Sequence, residues 1–358
     1  MAGHGGNIYE IERKVGVQKE RIVDFSSNIN PLGLNKKLIK SIKKNVGVAL
    51  RYPDIEYHDL VDSISENYKI DRGFIIPGNG ATEILSLYFK VLSPKKALIL
   101  SPTFSEYERA LRINGCEIKY FKLEENSGFV PVLSDLCDEM KGGYDVVVMC
   151  NPNNPTGMAV GKGFAEELSN VCAKTGGRVF IDESFMDFLK DADEYTAAGL
   201  TGKHENLFIL KSLTKFFAIP GIRLGFGMTS DTDLLARMKN VHDPWSINCF
   251  ADLAGRTLLG DKKYISGTKK TVMSNREMFF KELNEIKNIK VFESCCNFLL
   301  IKLLDNMNVS ELQDRMLKDR ILIRDCSNFK YLDKKFFRVA VKTKKQNSLF
   351  VNALVRNL

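Results

Sequence analysis

At 358 residues, 44% apolar and with a formal charge of +8 spread along its length, the chain has room for two domains, or one large domain with a smaller appendage. It carries no block of like charge of the kind found in nucleic-acid-binding arms, since Lys334-Lys335 and Lys342-Thr343-Lys344-Lys345 are short and read as solvated faces. No secretory leader is visible, no apolar run reaches the about twenty residues of a membrane span, and eight cysteines without a C-x-x-C pair, beside four histidines and no H-E-x-x-H, exclude a disulfide scaffold or a catalytic zinc, so a cytoplasmic protein is expected.

The chain opens on His4-Gly5-Gly6-Asn7, which alone reads as a loose terminus, and reaches Asp24-Phe25-Ser26-Ser27-Asn28-Ile29-Asn30-Pro31-Leu32-Gly33. Arg51-Tyr52-Pro53 follows. Pro77-Gly78-Asn79-Gly80-Ala81-Thr82-Glu83 has the composition of a turn entering a helix, a place where backbone N–H groups can cradle a phosphate. A dinucleotide loop would need a third glycine, which is missing.

Short apolar runs then alternate with stretches of helical spacing such as 164–173. The strand-like runs are Lys96-Ala97-Leu98-Ile99-Leu100, Tyr144-Asp145-Val146-Val147-Val148-Met149, Arg178-Val179-Phe180-Ile181 and Leu207-Phe208-Ile209-Leu210. This alternation predicts a mostly parallel sheet covered by helices, with functional residues in the loops beyond the strand ends. After Trp245 helical segments dominate, followed by strand-like Phe298-Leu299-Leu300-Ile301 and Phe337-Arg338-Val339-Ala340. The expected division is an N-terminal arm with part of a small domain (1–45), a large domain (46–245) and a C-terminal small domain (246–358).

The loops hold the residues with chemical capability. Asp182 ends its apolar run, thirty-three residues before Lys215 in Lys211-Ser212-Leu213-Thr214-Lys215, and Arg223 follows eight residues later in Ile219-Pro220-Gly221-Ile222-Arg223-Leu224-Gly225. A lysine held near other positive charge can form a Schiff base with an aldehyde cofactor. Arg223, Ser212 and Thr214 offer the donors a phosphate dianion requires. A carboxylate at Asp182 can keep a pyridine nitrogen protonated. Each has an ordinary reading: a solvated loop lysine, a helix cap, and in Asn151-Pro152-Asn153-Asn154-Pro155-Thr156-Gly157 a plain turn. Their joint occurrence, in order, makes coincidence a poor explanation.

Together these segments resemble the pyridoxal-phosphate site of the class I/II aminotransferase superfamily. The resemblance implies an α/β chain of PLP-dependent transferase fold type I, a mostly parallel sheet sandwiched by helices with a smaller α+β domain. Its cofactor is pyridoxal 5'-phosphate, with Lys215 and Asp182 catalytic. The cofactor contacts it implies are Gly80, Ala81, Thr82, Asn154, Ser212, Thr214 and Arg223, with Phe104 of Ser101-Pro102-Thr103-Phe104 stacking on the ring. Tyr52 would reach the cofactor phosphate of a neighbouring subunit, which makes a homodimer with shared sites the expected assembly.

Within the superfamily the chain is similar to the subgroup of histidinol-phosphate aminotransferases and L-threonine-O-3-phosphate decarboxylases. The opening segment and the run from Asp24 to Gly33 resemble the decarboxylases, and Phe185 stands where an aminotransferase ordinarily has a tyrosine. Pro244-Trp245-Ser246-Ile247-Asn248 and Ile321-Leu322-Ile323-Arg324-Asp325-Cys326 extend the likeness to the whole chain. Decarboxylation of L-threonine O-3-phosphate, for cobalamin biosynthesis, is then expected. His4, Gly5, Asn28, Asn154, Arg324 and Arg338 would hold the phosphate and carboxylate. Transamination of histidinol phosphate and decarboxylation of O-phospho-L-serine stay open.

Overall fold

The computed structural model describes residues 5–358, so His4 lies outside the described residues. After a short strand, β1 (Val23–Asp24), the main sheet is built from β2 (Ile75–Gly78), β3 (Lys96–Ser101), β4 (Glu117–Lys122), β5 (Val146–Cys150), β6 (Arg178–Asp182), β7 (Leu207–Ser212) and β8 (Gly225–Met228). Their order is β2-β8-β7-β6-β5-β3-β4. The pairs among β3 to β7 are parallel, and β8 runs antiparallel between β7 and β2. This is the mostly parallel sheet that the alternating pattern predicts.

The continuous apolar runs have a simple cause. β5 and β7 are buried at every position because helices cover both faces of the sheet. Val146 and Val148 pack with Ile84, Tyr88 and Phe89 of helix Ala81–Leu92 on one face. Val147 and Met149 face the other, in a core shared with Ala165 and Leu168 of helix Lys162–Lys174. The period-two alternation along each strand thus divides one apolar run between two cores.

The C-terminal part adds β9 (Ile289–Val291), β10 (Phe298–Leu303), β11 (Ile321–Leu322), β12 (Arg324–Asp325) and β13 (Phe336–Ala340). Four of these form an antiparallel sheet in the order β12-β13-β10-β9, while β11 pairs in parallel with β1. Through β1 the chain start enters this unit. The Phe25 N–H donates to the Leu322 carbonyl and its own carbonyl accepts from Ala340, each at 2.8 Å. The Phe25 ring is fully buried, with centroids 4.7 Å from Phe350 and 6.2 Å from Phe279. Among the described residues no helix is long and apolar enough to cross a membrane.

Phe25 therefore anchors the segment that carries Ser26 and Asn28 towards the site. Phe25→Ala is expected to destabilise the protein by about 3–5 kcal/mol through lost burial and the cavity left behind. Chemical denaturation measures it, and a loss below about 1 kcal/mol would show that the arm is held elsewhere.

Candidate active site

Parallel pairing places the C-terminal ends of β5, β6 and β7 side by side: Cys150 is opposite Asp182, and Asp182 is opposite Leu210. Asp182 is the last residue of β6 and is buried. Both its oxygens are engaged: Oδ1 accepts from the Ser184 N–H at 2.8 Å and Oδ2 from the Tyr107 hydroxyl at 2.7 Å. β7 ends at Ser212, and Lys215 follows in a single helical turn, Leu213–Phe216, rather than in the open loop its sequence suggests. Lys215 Nζ donates to Ser212 Oγ at 3.0 Å, and that oxygen lies 2.8 Å from Thr214 Oγ1. Burial holds the Lys215 amine below the ordinary lysine range; Asp182 draws it back up, and Arg223 pushes it further down. An amine that loses its proton more readily is what Schiff-base formation requires.

Beside Lys215 lies a cradle suited to a phosphate. Helix Ala81–Leu92 opens at Gly80 without a side-chain cap, leaving first-turn N–H groups for an external acceptor. Gly80 has φ +81°, and a Cβ there would collide with the Arg223 guanidinium. Gly225, paired with Ser212 across β7 and β8, has room for no side chain because the Ala81 N–H backs onto it. Glu83 secures the turn: its Oε2 accepts from the Asn79 N–H (2.6 Å) and the Ser246 hydroxyl (3.1 Å), and lies 3.0 Å from His242 Nε2. Gly80, Ala81, Ser212 and Arg223 are thus contiguous, with Thr82 and Thr214 adjoining.

A cavity of about 640 Å³ opens above, lined by Gly5, Asn28, Phe104, Asn154, Lys215, Arg324 and Arg338 among others. Arg338, on β13, is 6% exposed, yet makes no ion pair among the described residues. Its Nη1 donates to Asn154 Oδ1 and its Nη2 to the Ser26 carbonyl (2.9 Å), while Nε has no partner. Burial pulls its pKa down to about 10. Arg324 donates to the Asp325 carbonyl and to Asn328 Oδ1 (2.8 Å), and burial lowers its pKa also. Asn28 Oδ1 is buried without a partner. Guanidinium groups sunk beside a cavity with no carboxylate bonded to them are costly unless an anion enters.

Aromatic rings make the remaining wall. Phe185 lies with its ring centroid 5.9 Å from Lys215 Nζ and packs edge-on against Phe298, 5.0 Å between centroids. Phe104 lines the cavity and meets Tyr107 edge-on at 5.7 Å. Tyr52 stands apart: it is 79% exposed, with its ring 4.7 Å from Trp245.

Two features carried no signal in the sequence. Tyr107 sits on an amphipathic helix, Glu106–Ile113, where a tyrosine reads as core; its bond to Asp182 depends on a partner 75 positions away. Lys211 is buried and bonded to Glu183 (3.1 Å) and Asp187 (3.2 Å), with Tyr68 donating to Asp187 at 2.8 Å. That network ties the ends of β6 and β7 together behind Asp182 and Ser212.

The comparisons agree with this architecture. Residues 20–354 match the model of the aminotransferase class I and II family, and the chain belongs to that family, which works with pyridoxal phosphate. A protein of Caldanaerobacter subterraneus provisionally named a threonine-phosphate decarboxylase is 42% identical over 98% of this chain and 92% of its own. The threonine-phosphate decarboxylase of Salmonella typhimurium is 33% identical over 99% and 96%. An adenosylcobalamin biosynthesis bifunctional protein of Leptospira interrogans is 32% identical over 98% of this chain and 40% of its own. Among solved structures, a histidinol-phosphate aminotransferase from Clostridium acetobutylicum superposes with a TM-score of 0.87 at 35% identity, covering 93% of this chain and 99% of that one. The site fits the cofactor: an uncapped helix start against Arg223 for its phosphate, Lys215 for its aldehyde, Asp182 for its ring nitrogen.

The position of Lys215 between Asp182 and Arg223 makes its amine testable in the cofactor-free protein. The pH midpoint for reductive methylation of Lys215, followed by mass spectrometry, is expected below that of the exposed lysines. Because Arg223 lowers and Asp182 raises the Lys215 pKa, Arg223→Gln moves the midpoint up and Asp182→Asn moves it down. A Lys215 that titrates with the surface lysines in all three proteins would contradict the assignment.

Proposed function

We propose that this chain decarboxylates L-threonine O-3-phosphate to (R)-1-amino-2-propanol O-2-phosphate, with pyridoxal 5'-phosphate bound at Lys215, as a cytoplasmic step in cobalamin biosynthesis. The observation that carries the reading is the pair Arg324 and Arg338, set without carboxylate partners around the cavity that contains Lys215. Two guanidinium groups suit a substrate with two anionic groups. The decarboxylase relatives, 42% and 33% identical over nearly the whole chain, and Phe185 beside Lys215 support the same reading.

When bound, pyridoxal phosphate supplies the aldehyde that takes up the substrate amine and a ring that accepts the electron pair left on Cα. The protein does the rest. Gly80, Ala81, Thr82, Ser212, Thr214 and Arg223 would anchor the cofactor phosphate, Phe104 would face its ring, Asn154 would bond its hydroxyl and Asp182 would keep its nitrogen protonated. Gly5, Asn28, Asn154, Arg324 and Arg338, with His4, would grip phosphate and carboxylate, and so orient the substrate for loss of its carboxylate. Phe185 offers an apolar wall that excludes water. Lys215 Nζ would return a proton to Cα. In this reading 46–245 carry the cofactor, while 1–45 and 246–358 form the smaller unit that grips the substrate.

A homodimer with shared sites follows from the same reading. Val46, Leu50, Tyr52 and Ile55 leave an apolar strip in solvent, with Leu50 90% exposed. A second copy would cover the strip and bring Tyr52 to the partner's cofactor phosphate. Leu50→Asp is expected to shift the protein from dimer to monomer by analytical ultracentrifugation; a wild-type monomer would end this part of the reading.

The activity is decided by product analysis of the cofactor-loaded protein with O-phospho-L-threonine and no oxo acid. Carbon dioxide and aminopropanol phosphate are expected over many turnovers, and Lys215→Ala should abolish both the visible absorbance of the bound cofactor and turnover. A pocket discriminates one methyl by only about 1–3 kcal/mol, so O-phospho-L-serine is expected to react up to about a hundredfold more slowly. Turnover of histidinol phosphate with 2-oxoglutarate, without decarboxylation, would instead place the chain with the aminotransferase it superposes on.

A further inference from the structure

The cavity is lined by one cation to which the proposed reaction gives no role. Besides Lys215, Arg324 and Arg338, Lys330 lines it, on the stretch between β12 and β13. Its ammonium lies 4.2 Å from the ring centroid of Tyr120, which comes from β4 at the edge of the main sheet, and 5.3 Å from that of Tyr331. Lys330 is exposed and forms no ion pair among the described residues. Its loop is tied to the substrate arginines: Asn328, two residues earlier, accepts from Arg324, and the Phe329 ring lies 5.2 Å from the Arg324 guanidinium.

Charge balance indicates what such an amine is for. A phosphate monoester carries about −1.5 to −2 at neutral pH and a carboxylate brings one more negative charge. Two arginines supply two positive charges, and Lys215 is taken by the cofactor. The cavity's carboxylates add no positive charge and are already engaged: Asp24 accepts from Ser26 and Ser27, and Glu108 holds Arg112 at 2.7 Å. Among the described residues that line the cavity, the second negative charge of the phosphate is thus left to Lys330. An exposed ammonium resting on the half-buried Tyr120 ring is held weakly, whereas a charge-assisted hydrogen bond to phosphate is among the stronger contacts available. A flexible four-carbon stem lets the ammonium leave one for the other.

We infer that Lys330 leaves the Tyr120 ring to bind the substrate's phosphate beside Arg324, and so selects phosphorylated over unphosphorylated amino acids. This rests on the phosphorylated-substrate reading above, and the test separates the two. Wild type, Lys330→Met and Lys330→Arg, all loaded with cofactor so that the Arg223 cradle is filled, are titrated with inorganic phosphate by calorimetry. Lys330→Met is expected to weaken phosphate binding about tenfold, and Lys330→Arg to restore it to within about threefold. With O-phospho-L-threonine, Lys330→Met should raise KM about tenfold with kcat little changed, while kcat/KM for L-threonine stays as in wild type. Equal phosphate affinity in wild type and Lys330→Met, or equal losses with both amino acids, would overturn the role of Lys330. If wild type releases no carbon dioxide from O-phospho-L-threonine, the proposed reaction falls, and phosphate titration still decides Lys330.

Discussion

Everything at this site depends on the register of three parallel strands. Because β5, β6 and β7 run the same way and end within two residues of one another, Asp182 and the turn bearing Lys215 emerge together at the C-terminal ends of the strands. A slip of one residue would turn Asp182 to the opposite face and exchange the residues that fill the two cores. Helices cover both faces of these strands, so either core would resist such a slip. The rigidity that the site needs is therefore supplied by apolar packing rather than by the site's own bonds.

On that platform electrostatics are arranged by exclusion as much as by attraction. Lys215 is surrounded by burial, one carboxylate and one guanidinium, and burial dominates. Arg338 is buried with only neutral oxygens as partners and an unused Nε. Supplying a carboxylate would have stabilised the empty protein and weakened its hold on an anion. Lys211 makes the contrast: also buried, it is fully paired with Glu183 and Asp187 and serves only to tie two strands together.

The cavity beside Lys215 is a product of chain closure. Gly5, Ser26 and Asn28 come from the chain start, Phe104 from the loop after β3, Tyr120 from the edge strand β4, and Arg324, Lys330 and Arg338 from the C-terminal unit. What holds the first of these in place is Phe25, clamped between Phe279 and Phe350 and bonded to both Leu322 and Ala340. A few residues of extended backbone thus join the beginning of the chain to its end.

The amino-acid sequence by itself determined the fold class and the family, because both rest on local patterns. A strand buried on both faces must be an unbroken apolar run, and a lysine that meets an aldehyde beside a phosphate site must have hydroxyl donors and an arginine within a few residues. β8 was not legible in the same way: Gly225 and Gly227 leave it no strand signature, and they are there because Ala81 and Phe208 press against them. Nor was the turn of helix under Lys215 legible, nor the tyrosine on Asp182. Only the tertiary structure decided that two arginines fourteen positions apart would meet at one cavity without ion-pair partners, Arg338 buried and Arg324 half-buried, and that Lys330 would rest on a ring from another sheet. Burial and partner choice are properties of segments distant in sequence, and no local spacing encodes them.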